Sequence, residues 1–105
     1  PGVVRETVFE SEANVMVRSR VGPGTTTGWH HHGERHVFGY VVEGVGAVEY
    51  GSGGDERDEV GAGEFFYIAP GTVHRDVNPT DEDVVVLVNF VGSGPPVVNV
   101  DGPPE

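Results

Sequence analysis

The sequence predicts an all-β protein, a sandwich or barrel built from about nine or ten short strands. Seventeen glycines and eight prolines occur among 105 residues, well above the average usage of about 7% and 5%. They punctuate valine-rich runs, a pattern typical of strands joined by tight turns. No window of ten or more residues has helical periodicity. The length suits one domain, residues 1–105, with a single core.

The first half of the chain contains five of the predicted strands. Weak alternation near the N-terminus favours an edge strand. The next run is a clear strand because its valines and arginines fall on opposite faces. Glycines and a proline separate the runs that follow. The five predicted strands are Val3–Val8, Asn14–Val21, Thr25–His32, His36–Glu43 and Val45–Tyr50.

The second half begins with Gly51–Glu59, which has no apolar residue and predicts a solvent-exposed hairpin loop. Val60–Gly63 is then predicted to be a turn. Four more strands follow, and the third of them is almost entirely apolar, which favours a central strand buried on both faces. These strands are Glu64–Ile68, Val73–Asn78, Val84–Val91 and Val97–Val100.

Composition excludes several classes of function. The net charge of −11, with six arginines and no lysine, argues against nucleic-acid binding, because there is no cationic patch to displace counterions. The absence of cysteine excludes disulfides, thiolate metal sites and a cysteine nucleophile. No apolar run reaches the roughly 18 residues of a membrane span, and no signal peptide is visible. We therefore expect a cytoplasmic protein.

The histidines are the most informative residues. Four of the five lie within Trp29–His36, and the fifth is His74. In an extended strand His30 and His32 point to one face and His31 to the other. Together with His36 and His74 they could supply three or four nitrogen ligands. Imidazoles without thiolates suit Mn, Fe, Co, Ni, Cu or Zn and disfavour Ca and Mg, so we expect one divalent transition metal per chain.

Two motifs in this chain resemble those of the cupin superfamily. The first pairs His-x-His with an acidic ligand and a closing glycine, and here it comprises His30, His32, position 36 and Gly44. The second has a Pro-x-Gly turn followed by histidine and asparagine, matched here by Gly63, Gly71, His74 and Asn78. The resemblance spans about residues 22–90 and implies that the chain is a small single-domain member of this superfamily. The implied fold is a double-stranded β-helix, also called the cupin or jelly-roll barrel.

Two departures from the family pattern affect the expected site. His36 stands where the family usually has a glutamate ligand, so the resemblance implies a four-histidine site of His30, His32, His36 and His74. That change removes a negative charge and a potential acid or base from the metal. Glu34 is a substitute candidate for the position of His36 in the metal site, and it ranks below the histidine. In the second motif Ala69 takes the place of the proline, which has moved to position 70.

Other residues are expected to support the site. Phe38 and Tyr40 share strand parity with His36 and should point into the barrel, where Phe66 and Phe90 would line the pocket. Asn78 is expected to brace the turn after His74, and His31 to face a neighbouring strand or subunit.

The resemblance leaves more than one function open. The first hypothesis is a metal-dependent oxidoreductase, dioxygenase-like, acting on a small organic substrate. The alternative is a non-catalytic module that binds a small ligand and uses the metal as a structural staple. A metal-independent sugar epimerase is disfavoured, because six scattered arginines offer no patch for a nucleotide diphosphate. Small relatives often pair by exchanging N-terminal strands, so we expect a homodimer.

Overall fold

The glycines and prolines that punctuate the sequence divide the chain into ten strands. A computed structural model describes residues 2–105. The strands are β1 (Val3–Ser11), β2 (Asn14–Val21), β3 (His30–His31), β4 (His36–Glu43), β5 (Val45–Tyr50), β6 (Glu56–Gly61), β7 (Phe65–Ile68), β8 (His74–Val77), β9 (Val84–Val91) and β10 (Val98–Asn99). A short 3-10 helix, Ser52–Gly54, precedes β6. No helix within the described residues is long and apolar enough to cross a membrane.

The strands form two five-stranded antiparallel sheets. One has the order β1-β2-β9-β4-β7 and the other β10-β3-β8-β5-β6. Sequence neighbours such as β3 and β4 lie in different sheets, so the chain passes repeatedly from one sheet to the other. This arrangement confirms the predicted all-β class and the double-stranded β-helix.

Alternation along the strands of the first sheet places one set of side chains in the core. Val17, Val37, Ile68, Val88 and Phe90 form a buried cluster there. β9 lies at the centre of this sheet, as its apolar composition predicts, and pairs with both β2 and β4. Burial of apolar surface in this layer stabilises the fold by up to about 25 cal/mol per Å².

One glycine of β4 is required by the packing of that core. Gly39 faces Phe66 on the neighbouring strand, and a Cβ atom at position 39 would lie 2.0 Å from the end of the Phe66 ring. The absence of a side chain therefore makes room for an aromatic residue inside the barrel.

Three predicted segments were wrong in part: the strand Thr25–His32, the loop 51–59, and the turn Val60–Gly63, whose first two residues belong to β6. In Thr25–His32 only His30–His31 is a strand, and the preceding residues make a single isolated bridge, between Thr26 and Val77. Part of the predicted loop 51–59 is strand β6, which pairs with β5 through its backbone. β6 is an edge strand with mostly exposed side chains. Polar residues are therefore tolerated without apolar alternation.

Candidate metal centre

Three of the predicted histidines converge at one end of the barrel. His30 on β3 and His74 on β8 are direct partners across the two strands, and His32 follows β3 immediately. One nitrogen of each ring lies within 4.8 Å of the others. The exposed fractions are 3% for His30, 7% for His32 and 0% for His74. The barrel thus unites residues that are more than 40 positions apart in the chain.

The backbone sets the tautomer of all three rings. Each Nδ1 atom lies at hydrogen-bond distance from a main-chain carbonyl oxygen, which only accepts, so Nδ1 must donate and carry the proton. The lone pair is then left on Nε2. The bonds join His30 to Gly28 (2.8 Å), His32 to Pro96 (2.7 Å) and His74 to Thr72 (2.9 Å).

Among the described residues, these Nε2 atoms have no hydrogen-bond donor as a partner. Nε2 of His32 and Nε2 of His74 are 3.3 Å apart, yet neither carries a hydrogen to donate. Nε2 of His30 is buried without a hydrogen bond among residues 2–105. Two nitrogens bound to a tetrahedral zinc ion at about 2.0–2.1 Å lie roughly 3.3 Å apart. The donor set therefore fits a transition metal ion, which would satisfy all three lone pairs.

Burial keeps the imidazoles of His32 and His74 in the neutral form that binds metal. The pKa of His32 is lowered from 6.5 to about 4, chiefly because burial disfavours the charged ring. The His74 and His30 rings lower this pKa further, whereas the hydrogen bond to Pro96 opposes the shift. Burial also lowers the pKa of His74. At neutral pH His32 and His74 therefore need not lose a proton before binding an ion.

Arg35, which sequence reasoning did not single out, fixes the segment that orients His32. Its buried side chain donates to the carbonyl oxygens of Gly94 (2.8 Å) and Phe90 (3.1 Å). These bonds hold the chain between β9 and β10, from which Pro96 reaches His32. Partners of this kind, behind the ligands, set ring orientation in metal sites.

Asn78 joins the end of β2 to the loop that follows β8. The residue is 1% exposed, and its amide donates to three carbonyl oxygens, those of Val21, Gly22 and Glu82, at 2.7–3.0 Å. Its Oδ1 accepts from the backbone and the hydroxyl of Thr80. Both polar atoms of this side chain are therefore engaged by the backbone at the end of β2 and by the loop after β8.

The expected orientation of His36 was wrong. His36 is exposed on the outer face of β4, and its Nδ1 lies 2.7 Å from the hydroxyl of Tyr67. The residues of β4 that point inward are every second one, beginning with Val37. A turn at Gly33 and Glu34 interrupts the strand before position 36, so the alternation that starts at His32 does not carry across it. Three histidines come together, and the fourth does not.

Because Phe38 and Tyr40 share strand parity with His36, these two of the four aromatic residues predicted to line the pocket do not point into it. Phe38 is 49% exposed, and Tyr40 packs against the exposed Phe65, with 4.7 Å between ring centroids. Phe66 and Phe90 line the cavity as expected, and Phe90 lies 5.0 Å from the His32 ring.

Two further residues lie outside the three-histidine cluster. Glu34, the substitute ligand of lower rank, is exposed in the turn and not part of the cluster. His31 is half-buried, and its Nδ1 accepts a hydrogen bond from the backbone N–H of Gly33, at 3.0 Å. His31 therefore supports the turn that follows the segment His30–His32.

The three histidines line two neighbouring spaces. An inner cavity of about 100 Å³ is lined mainly by apolar side chains together with His32 and His74. An outer cleft of about 520 Å³ is lined by residues that include His30 and Thr25–Thr27. Arg5 lines both spaces. A small molecule in the cleft would therefore lie against His30, and one in the cavity against His32 and His74.

Asp76 is a second residue of the site that sequence reasoning missed. Its Oδ2 lies 3.5 Å from Nε2 of His30, and its side chain is 35% exposed at the cavity. The sequence could have indicated this residue, because Asp76 lies two positions after His74 and therefore on the same face of the strand. Asp76 brings a carboxylate to a cluster that lacks one at position 36.

Residues 17–103 match the family model described as a cupin domain. The chain belongs to the cupin family. The match covers the histidine cluster, Asn78, and both sheets apart from β1 and the first three residues of β2. A search of curated proteins gave no significant match.

Solved structures share the fold of this cupin. An oxalate oxidase in complex with the substrate analogue glycolate is 26% identical, and the alignment covers 94% of this chain with a TM-score of 0.78. This chain spans only 55% of that oxidase chain. The polyketide cyclase RemF from Streptomyces resistomycificus is also 26% identical, with coverage of 94% and 71% and a TM-score of 0.78.

A further match is an uncharacterized conserved protein with a double-stranded β-helix domain, from Klebsiella pneumoniae. It is 23% identical, with coverage of 94% of this chain and 84% of that chain and a TM-score of 0.77. At this identity the likeness supports the fold alone.

Proposed function

We propose that this cupin binds one divalent transition metal through Nε2 of His30, His32 and His74 and is a metal-dependent oxidoreductase acting on a small organic substrate. The observation that carries the proposal is the convergence of three unprotonated Nε2 atoms whose Nδ1 atoms are all engaged by backbone carbonyls. Such an arrangement is costly without an ion, because buried lone pairs then remain unsatisfied. Mn, Fe, Co, Ni, Cu and Zn all fit the donor set.

The charge of the site favours electron-rich ligands. Three neutral imidazoles leave the full positive charge on a bound divalent ion, which then supplies Lewis-acid or redox chemistry at its open positions. The apolar wall that includes Phe66 and Phe90 excludes water from the substrate. The Asp76 carboxylate, beside His30, would accept a proton from the substrate.

The comparisons support this class of reaction. The oxalate oxidase at 26% identity is a cupin-fold oxidoreductase that binds a small hydroxy acid, glycolate. The two dissimilar activities among the neighbours, an oxidase and a cyclase, leave the substrate to be identified by experiment.

Metal analysis tests the binding site directly. Protein loaded with each ion in turn and desalted should retain about one metal per chain, as measured by inductively coupled plasma mass spectrometry. His32→Ala and His74→Ala should each lose it, whereas the matched controls His31→Ala and His36→Ala should retain it. Full retention in both cluster variants would refute the site. Oxygen uptake with small diketones, thiols, phenols and hydroxy acids then tests the reaction.

A second candidate is a non-catalytic, ligand-binding cupin in which the metal is structural. It is favoured by the shortness of β3, which pairs with β8 through a single residue pair, His30 with His74. An ion between the two strands would reinforce that weak connection, since metal binding contributes folding free energy. A first shell without exchangeable water and the absence of substrate-dependent oxygen uptake would favour this candidate over the enzyme.

We also propose that the protein is a homodimer. β1 is an edge strand with exposed apolar residues, and the outer face of β4 and β7 carries exposed aromatic rings, among them Phe38, Phe65 and Tyr67. Exposed apolar surface of this kind is typical of protein interfaces. Sedimentation velocity at micromolar concentration should give the mass of two chains, and a monomer across that range would contradict the proposal.

A further inference from the structure

Arg5 differs from the other arginines of the protein. Within residues 2–105 its guanidinium makes neither an ion pair nor a hydrogen bond, although the chain carries 17 acidic residues. Each of the others has a partner: Arg18 pairs with Glu6, Arg20 with Asp83, Arg57 and Arg75 with Glu49, and Arg35 with the carbonyls of Gly94 and Phe90. The guanidinium of Arg5 is thus available to an external anion.

The position of Arg5 connects it to the histidine cluster. An exposed arginine is ordinarily a solvated surface residue, but this one lines both the inner cavity and the outer cleft. The same two spaces are lined by His30 on the side of the cleft and by His32 and His74 on the side of the cavity. A small molecule in this opening would therefore lie against both the cluster and the guanidinium.

Ser19 provides a second donor beside Arg5. The two residues are direct partners across β1 and β2, so their side chains project from the same face of the sheet. Ser19 is buried and lines the inner cavity, and its hydroxyl makes no hydrogen bond with the described part of the chain. A guanidinium and a hydroxyl side by side can together donate to both oxygens of a carboxylate.

We propose that Arg5 and Ser19 form an anion-binding subsite that holds the carboxylate of a small organic substrate at the mouth of the cavity. The proposal rests on the proposed function in one respect, namely that the other end of the substrate faces the histidine cluster. The planar guanidinium binds a carboxylate through two parallel hydrogen bonds. The surrounding acidic surface repels anions, so selection for them depends on this local cation. Substrates with a carboxylate are therefore preferred to their neutral amides.

Titrations with acetate and acetamide, which have similar shapes and different charges, test the subsite. The probes are added to metal-free and to Zn²⁺-loaded protein, both diamagnetic, and the ¹⁵N–¹H resonance of the Arg5 Nε–H group is followed by NMR. Acetate should shift this signal saturably and bind more tightly than acetamide. Arg5→Gln should weaken acetate binding about 10- to 100-fold, and Ser19→Ala by a smaller factor.

Two controls separate this subsite from general electrostatics. Arg18→Gln removes a positive charge from the neighbouring strand without touching the cavity and should leave acetate affinity unchanged. Arg5→Lys, which keeps the charge but not the fork of donors, should recover only part of the affinity. Equal acetate affinity in Arg5→Gln and the unaltered protein, or acetamide binding as tight as that of acetate, would overturn the proposal.

The metal content of the same samples distinguishes failure of the subsite from failure of the metal site. Arg5→Gln should still hold about one Zn²⁺ per chain, since it contributes no ligand. If no variant binds metal, the proposed function fails, yet the dependence of acetate binding on Arg5 in metal-free protein still decides the subsite. If metal binds and acetate does not, the subsite alone is wrong.

Discussion

Lowering the pH from 7 to 5 is expected to destabilise the metal-free protein by about 2 kcal/mol through His32 alone. The pKa of this residue is about 4 in the folded chain and returns to 6.5 on unfolding. At pH 5 the unfolded chain therefore holds nearly a full proton at His32 and the folded chain about a tenth of one. Stability is unaffected above pH 6.5 and is lost as the pH falls from 6.5 towards 4.

The magnitude follows from the separation of the two pKa values. Each tenfold difference in proton affinity is worth about 1.4 kcal/mol, so the full loss approaches about 3 kcal/mol near pH 4. His74 adds to this loss because burial lowers its pKa as well. Carboxylates titrate in the lower part of the same range, so a comparison of variants is needed to isolate the histidine.

Urea unfolding of metal-free protein at pH 7, 6 and 5, followed by the fluorescence of Trp29, measures the effect. His32→Asn keeps a side-chain donor for Pro96 but removes the titrating ring, and it should lose about 2 kcal/mol less than the unaltered protein between pH 7 and pH 5. His31→Asn is the matched control and should follow the unaltered protein. Parallel losses in the unaltered protein and His32→Asn would refute the argument.

Three further predictions concern the fold and the ligand set. Gly39→Ala should destabilise the protein by about 1–3 kcal/mol in urea unfolding, because the new Cβ overlaps the Phe66 ring. Adding Phe66→Leu should recover part of that loss, and a neutral Gly39→Ala would contradict the packing. Asn78→Ala should cost about 3 kcal/mol, because it leaves two carbonyl oxygens at the end of β2 and that of Glu82 without their donor. The exposed Asn99→Ala is its control, and equal costs would be inconsistent with this role of Asn78. His36→Glu should leave metal content and affinity unchanged, because position 36 faces outward; tighter binding, measured by competition with a chelator, would show that position 36 reaches the metal.

Hydrophobic alternation and turn residues were enough to predict most of the strands. β2, β4, β5 and β9 begin and end where the valine-rich runs do, because a strand with one face in the core must alternate. The pattern failed at β6, where an edge strand is held by backbone pairing and carries polar side chains on both faces. It also failed before His30, where β-branched threonines favour extended backbone that has almost no pairing partner.

The sequence by itself determined three members of the candidate site. His30 and His32 share a face because they are two residues apart, and the second motif carries His74 in the position of a ligand. The absence of cysteine limited the donor set to imidazole and oxygen. The shared face of His30 and His32 and the limit on donor type need only local geometry and side-chain chemistry, whereas the assignment of His74 rests on its likeness to the cupin motif.

Only the tertiary structure decided the remainder of the site. The turn at Gly33 reverses the face on which His36 projects, since side-chain alternation holds only within an unbroken strand. The carbonyl oxygens that set the tautomers come from three separate segments of backbone, and carbonyl positions leave no trace in residue identity. Arg5 reaches the opening of the cavity because β1 pairs with β2, a contact between strands that no local pattern could place beside the histidines.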